Sequence, residues 1–208
     1  MEELKVLRNL NIDIPADEIK RYLKFRPGKS IDTGATLRLI KEAAGAAKLL
    51  IEPVALYRTF QSEVREDNVK IREAFTVASS SLAERFFRSS RVTILAVTLG
   101  AVICERIDRL EEEEKITEAL TLDAAASAAV EALADSVQLM LGQQASKEGF
   151  ALTKRYSPGY GDLPLAYQNN IIDILDGRKY NISVSDSLIL LPRKTVTAFI
   201  AWREKQID

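Results

Sequence analysis

This sequence predicts an α+β domain, a mainly antiparallel sheet with flanking helices, and three observations carry that prediction. Residues 122–141 repeat apolar side chains at helical spacing, with Leu122, Ala126, Val130, Leu133, Val137 and Leu141 on one stripe. Residues 91–98 are rich in β-branched side chains and nearly continuous in apolar ones, as in a strand buried on both faces. Two further strand-like runs, 187–191 and 195–202, are joined only by Pro192-Arg193-Lys194, and so short a connection pairs neighbours antiparallel.

The remaining elements follow in chain order. Residues 17–25 read as a short helix stopped by Pro27-Gly28. Thr33 or Gly34 opens a longer helix that ends before Pro53, with Leu37, Ile40, Ala44, Ala47 and Ile51 along one face. Residues 54–60 alternate as a strand, and 69–77 contain a second one. Residues 79–88 form a helix with Ser80 as N-cap and Glu84 favourable in the first turn. Gly100 ends the 91–98 strand, and residues 101–114 are helical, their four-glutamate end a solvated corner.

The alanines within 122–141 let another backbone or a ligand come close. Ser127, Glu131, Asp135 and Gln138 share the face opposite the apolar stripe, and periodicity alone assigns that face to solvent. Residues 150–155 read as a strand, and 165–175 as a helix closed by Asp176-Gly177. Residues 1–50 are expected to form a helical N-terminal part packed on an α+β domain spanning 51–208, together one compact unit. No 20–50-residue repeat and no long low-complexity linker interrupts the chain.

Composition narrows the chemistry. A chain of 208 residues suits one domain or one domain with a small appendage. A net charge of −1 with charges of mixed sign argues against a nucleic-acid footprint. Histidine is absent, which removes the usual general base and the commonest metal ligand, so a zinc site or a Ser-His-Asp triad is not expected. The lone cysteine, Cys104, excludes an internal disulfide and falls at an apolar helical position, where it reads as a buried thiol. No basic segment followed by an apolar core opens the sequence, and the apolar run 94–104 is too short to span a membrane. A cytoplasmic protein with neither nucleic-acid nor membrane partners is the expectation.

The densest stretch is 155–164, Arg-Tyr-Ser-Pro-Gly-Tyr-Gly-Asp-Leu-Pro. Pro158 and Pro164 fix backbone angles, while Gly159 and Gly161 permit turns or a close backbone approach that side chains would block. Arg155 offers a fork that matches a carboxylate, and Tyr160 a ring that attracts a cation. By composition alone the stretch reads first as a strand ending in a proline-stiffened loop. Gly159-Tyr160-Gly161 begins like a dinucleotide-binding turn, but Pro164 occupies the third glycine position and no helix opens directly behind it.

Residues 155–160 resemble the Arg-x-x-Pro-Gly-Tyr motif of the activation domain of cobalamin-dependent methionine synthase. Ala96-Val97-Thr98-Leu99-Gly100 is similar to a strand end of that family, residues 130–135 to a helix carrying Ala-Glu-Ala-x-Ala-Glu, and residues 187–197 to its final strand pair. The order matches, and residues 1–60 look like short relatives in which this domain is a separate polypeptide. The resemblance implies a reactivation domain that binds S-adenosylmethionine. Arg155 would hold the ligand's carboxylate, the backbone around Ser157 and Gly159 would meet the nucleoside, Tyr160 would lie near the ligand, and Glu131 would approach its polar groups. It also implies a cobalamin-bearing methionine synthase as partner and a flavodoxin-like electron donor, with no catalysis by the chain alone.

Departures from the family are visible. Leu165-Ala166 follows Pro164 where larger members carry His-Thr, and the tyrosine-bearing segment that follows their last strands has no counterpart before Asp208. An accessory or sensing module for another corrinoid protein, and an interaction protein that has lost the ligand, are therefore the alternatives.

Overall fold

The computed structural model describes residues 3–25 and 34–205. In chain order its elements are β1 (Lys5–Arg8), α1 (Ala16–Tyr22), α2 (Gly34–Leu50), β2 (Val54–Val64), β3 (Asn68–Ile71), β4 (Thr76–Ala78), α3 (Ser80–Arg85), β5 (Ser89–Thr98), α4 (Val102–Glu112), α5 (Ile116–Lys147), β6 (Phe150–Leu152), α6 (Tyr167–Ile174), a 3-10 turn (Gly177–Tyr180), β7 (Ser183–Val184), β8 (Leu190–Leu191) and β9 (Thr195–Glu204). The main sheet runs β4-β3-β2-β5-β9-β6, with β1 also on β2, and its pairings are antiparallel. The architecture is α+β.

β5 is central because both its faces are covered. Leu95 and Val97 enter the core on the helical side, while Val92, Ile94 and Ala96 enter a second core on the other side. β9 divides the same way, with Ile200 and Trp202 on one face and Phe199 and Ala201 on the other. The nearly continuous apolar runs of both strands are thus two interleaved period-2 sets, each with its own layer.

The helical layer is built on α5. All six residues of the predicted stripe are buried, and so are Ala119, Ala124, Ala125, Ala128, Ala129 and Ala145, so the helix is enclosed well beyond one stripe. Alanine makes that enclosure sterically feasible, since α1, α2 and α4 share a core with it at small side-chain cost. By length and composition α5 is apolar enough to cross a membrane, yet 56% of its most apolar stretch is buried within the protein, as in a core helix. Cys104 is buried in the same core. Between the layers, Trp202 Nε1–H donates to Thr93 Oγ1 at 2.7 Å, and the hydroxyls of Thr93 and Thr59 pair at 2.8 Å.

Several expectations are corrected. The 69–77 run is two strands, β3 and β4, folded back so that Val69 faces Val77. The N-cap of α3 is Ser79, whose Oγ accepts from Leu82 N–H at 3.0 Å, not Ser80. Leu37 is exposed, and Ala43 joins Ile40 and Ala47 in the buried face of α2. The final strand pair is also different: β8 pairs with β7, while β9 pairs with β5 and β6. Residues 192–194 turn the chain out of that small ribbon, and Arg193 reaches back to Asp108 of α4. β1 was not anticipated, because four residues carry too little pattern to show themselves. The expected breaks at Pro27-Gly28 and Thr33 lie outside the described residues.

Candidate functional site

The site opens where the sheet loses its edge. After β6 the chain stays on β9 through Thr153, then makes one last bridge in which Tyr156 and Phe199 exchange N–H···O bonds of 3.0 and 2.9 Å. Pro158 follows, and the chain peels away. Residues 195–198 of β9 then have β5 on one side and, among the described residues, no strand on the other. Into that gap opens a cleft of about 300 Å³, walled by Arg85, Glu131 and Arg155, by Tyr156, Ser157 and Tyr160, and by Val196 at the strand edge. That volume is at the lower end of the small-molecule range.

Four of the five residues singled out in the sequence meet here: Glu131, Arg155, Ser157 and Tyr160. Gly159 stands outside the wall, in the turn that shapes the loop. Its φ is +94°, its N–H donates to Leu163 O at 2.8 Å, and a Cβ there would come within 3.0 Å of Leu165 Cδ2.

Arg155 is the best-held charge of the cleft. Its Nη1 donates to Asp135 Oδ1 at 2.8 Å and to Gln138 Oε1 at 2.9 Å, and its Nη2 to Glu131 Oε2 at 3.1 Å. Its side chain is only 16% exposed. The polar face of α5, which periodicity assigned to solvent, is therefore a cradle for a guanidinium. One helical turn towards the N-terminus the same face binds Lys194, whose Nζ lies 2.7 Å from Asp123 Oδ1 and 2.9 Å from Ser127 Oγ. Three of the five guanidinium N–H groups of Arg155 are committed in this way, which leaves two, the number a bidentate carboxylate takes. The Tyr160 ring stands 67% exposed, 6.4 Å from that of the buried Tyr156.

Sequence reasoning missed the splint behind the loop. Asp162 accepts from Ser79 Oγ at 2.5 Å, from Ser80 N–H at 2.7 Å and from Ser81 N–H at 3.2 Å. The Ser79 hydroxyl bond lowers its carboxyl most; desolvation opposes it, and the Ser80 N–H together with the hydroxyl and N–H of Ser81 adds to the lowering, so that it lies at about 2. Arg85, at the other end of α3, lies over the Tyr156 ring at 4.8 Å. Tyr156 Oη–H in turn donates to Tyr160 O at 3.1 Å. Gly161, between these contacts, has φ +56°, and a Cβ there would sit 2.4 Å from Tyr156 Oη and 2.9 Å from Ser81 Oγ. The one local signal was the Ser79-Ser80-Ser81 triplet at a helix start; nothing local ties it to Asp162. Among the described residues no group of three or more His, Cys, Asp and Glu is arranged to hold a metal ion.

No known family model matches the sequence, and no curated protein matches it either. Solved structures do match. The chain is similar to the crystal structure of the MetH reactivation domain bound to AdoHcy, with a TM-score of 0.70 and 13% identity, over 99% of this chain and 80% of that one. This chain therefore has the α+β fold of the MetH reactivation domain.

Proposed function

We propose that this chain binds S-adenosylmethionine in the cleft between α5 and the 155–164 loop, and that it serves as a cytoplasmic reactivation module for a partner methionine synthase in methionine biosynthesis. The observation that carries the reading is the convergence of Arg155, Glu131, Ser157 and Tyr160 on one cleft in a fold shared with a domain crystallised with AdoHcy. AdoHcy is S-adenosylhomocysteine, the thioether left when S-adenosylmethionine gives up its methyl group.

The residues suit such a ligand. The two remaining N–H groups of Arg155 receive its carboxylate. Glu131, whose Oε2 is taken by Arg155, has Oε1 for an ammonium or ribose hydroxyls. The Tyr160 ring attracts the sulfonium, a contact of about 0.5–2 kcal/mol. The chain's own contribution is to fix the ligand's position and to present its methyl group at an open face. Cobalamin, carried by the partner, supplies the chemistry. With one electron from a flavodoxin-like donor, that cofactor would accept the methyl group of the sulfonium, and the neutral thioether would remain in the cleft of this chain.

A reconstitution tests this role. A methionine synthase lacking its own reactivation domain is oxidised to cob(II)alamin and mixed with S-adenosylmethionine and an electron source. The absorbance change to methylcobalamin is expected to be faster with this chain present. Equal rates with and without it overturn the reactivation role.

One observation favours a second reading. Arg155 already has Glu131, Asp135 and Gln138 as partners, so this arginine is held within the protein as it would be in an interaction protein without ligand. Calorimetric titration of S-adenosylmethionine separates the two: no heat at millimolar ligand selects the interaction protein.

A further inference from the structure

The cleft holds two guanidinium groups in different electrostatic states. Arg155 faces two carboxylates, Glu131 at 3.1 Å and Asp135 at 2.8 Å. That corner is net negative before any ligand arrives, and a ligand carboxylate approaching Arg155 alone meets repulsion from both acids. Arg85 differs. Among the described residues its guanidinium has no ion pair and no hydrogen bond, and it lies over the face of the Tyr156 ring, 4.8 Å from Cζ to the centroid. A guanidinium lying over a ring face spends none of its N–H groups on hydrogen bonds to that ring, which leaves them free to donate to an anion.

Arg85 is also held in place. It ends α3, whose start is pinned by Asp162, and its carbonyl oxygen accepts from Arg203 Nη2. Tyr156, beneath the guanidinium, is buried and anchored to Phe199 and to Tyr160 O. The backbone that carries this exposed cation and the ring beneath it are thus both fixed.

From this we infer that Arg85 is a second carboxylate-recognising residue of the cleft, acting with Arg155 on the amino-acid end of the ligand and setting the preference for ligands that carry a carboxylate. The inference rests on the ligand reading above and adds a residue to it. With Arg85 in place the corner becomes neutral, and the repulsion from Glu131 and Asp135 is offset by a cation that has no other partner.

The test uses the whole chain and two probes: S-adenosylhomocysteine, and S-adenosyl-3-thiopropylamine, the same molecule without its carboxylate. Calorimetry is run on the wild type, Arg85→Gln and Arg85→Lys, with circular dichroism melts to establish that each is folded. Arg85→Gln is expected to weaken S-adenosylhomocysteine about tenfold or more, the scale of one charged hydrogen bond, and to leave the amine probe within about twofold. Arg85→Lys, which keeps charge without the fork, is expected to fall between them.

An unchanged ratio of the two affinities in Arg85→Gln overturns the inference and leaves the ligand reading intact. Equal loss of both probes also overturns it, because Arg85 would then act only by steadying Tyr156. No heat from the wild type with either probe overturns the ligand reading and this inference with it. Should Arg85→Gln fail to fold, the Arg85→Lys ratio decides by the same criterion.

Discussion

Asp162 and Ser79 meet at 2.5 Å, carboxylate to hydroxyl, although 83 residues separate them in the chain. The contact rivets the 155–164 loop to the start of α3, and α3 in turn delivers Arg85 to the cleft. A negative group at a helix N-terminus is favoured by its unpaired N–H groups and dipole. The loop's shape is therefore a tertiary property.

Acid is expected to weaken the rivet. The carboxyl of Asp162 lies at about 2 in the folded protein against an ordinary 3.8. A folded value below the unfolded one makes the contribution complete above 3.8, and it is lost as pH falls through about 2. Asp162→Ala is thus expected to melt below the wild type at pH 7, with a gap that narrows as pH drops below 3.8. Thermal melts from pH 7 to pH 2 check this, and a gap independent of pH contradicts it.

Gly161 is expected to tolerate substitution less well than Gly159. Both have positive φ, but a Cβ on Gly161 meets Tyr156 Oη at 2.4 Å and Ser81 Oγ, whereas one on Gly159 meets the end of the Leu165 side chain at 3.0 Å. Gly161→Ala should cost about 1–3 kcal/mol, the scale of local backbone strain, and more than Gly159→Ala. Urea denaturation of the two variants measures the difference.

Arg155→Ala is expected to weaken S-adenosylmethionine binding by about 1.5–3 kcal/mol, the scale of hydrogen bonds to a charged group. Arg155→Lys should not restore it, since one ammonium cannot reach Asp135, Gln138 and Glu131 and still offer a fork to a carboxylate. Calorimetry reads both variants, and full affinity in Arg155→Lys would show that charge alone suffices.

Thr93→Val is expected to destabilise the fold by about 1–3 kcal/mol, because it orphans a buried indole N–H and removes the partner of a buried hydroxyl. Trp202 and Thr59 are those partners, and all three residues are almost fully buried. Trp202 is the only tryptophan, so its fluorescence during urea unfolding reports the loss directly.

What the sequence by itself determined are the elements whose burial is written in their own period. β5 was legible because residues 91–98 are apolar on both faces, and α5 because its stripe recurs over five turns, although its length was read short at 122–141 instead of Ile116–Lys147. Residues 155–160 marked the region of the cleft through their resemblance to a family motif, because composition alone reads them as a proline-stiffened loop.

Only the tertiary structure decided the partners. β1 on β2 and β8 on β7 depend on strands distant or weak in pattern, and strand pairing has no signature when a run is two to four residues long. The polar face of α5 looked like solvent surface because helical periodicity records which residues share a side, not what stands opposite. It became a cradle when the sheet edge brought Arg155 and Lys194 against it. Asp162 and Arg85 were invisible for the same reason: a charge finds its role from groups far along the chain, and one-dimensional spacing carries no record of a contact that only folding creates.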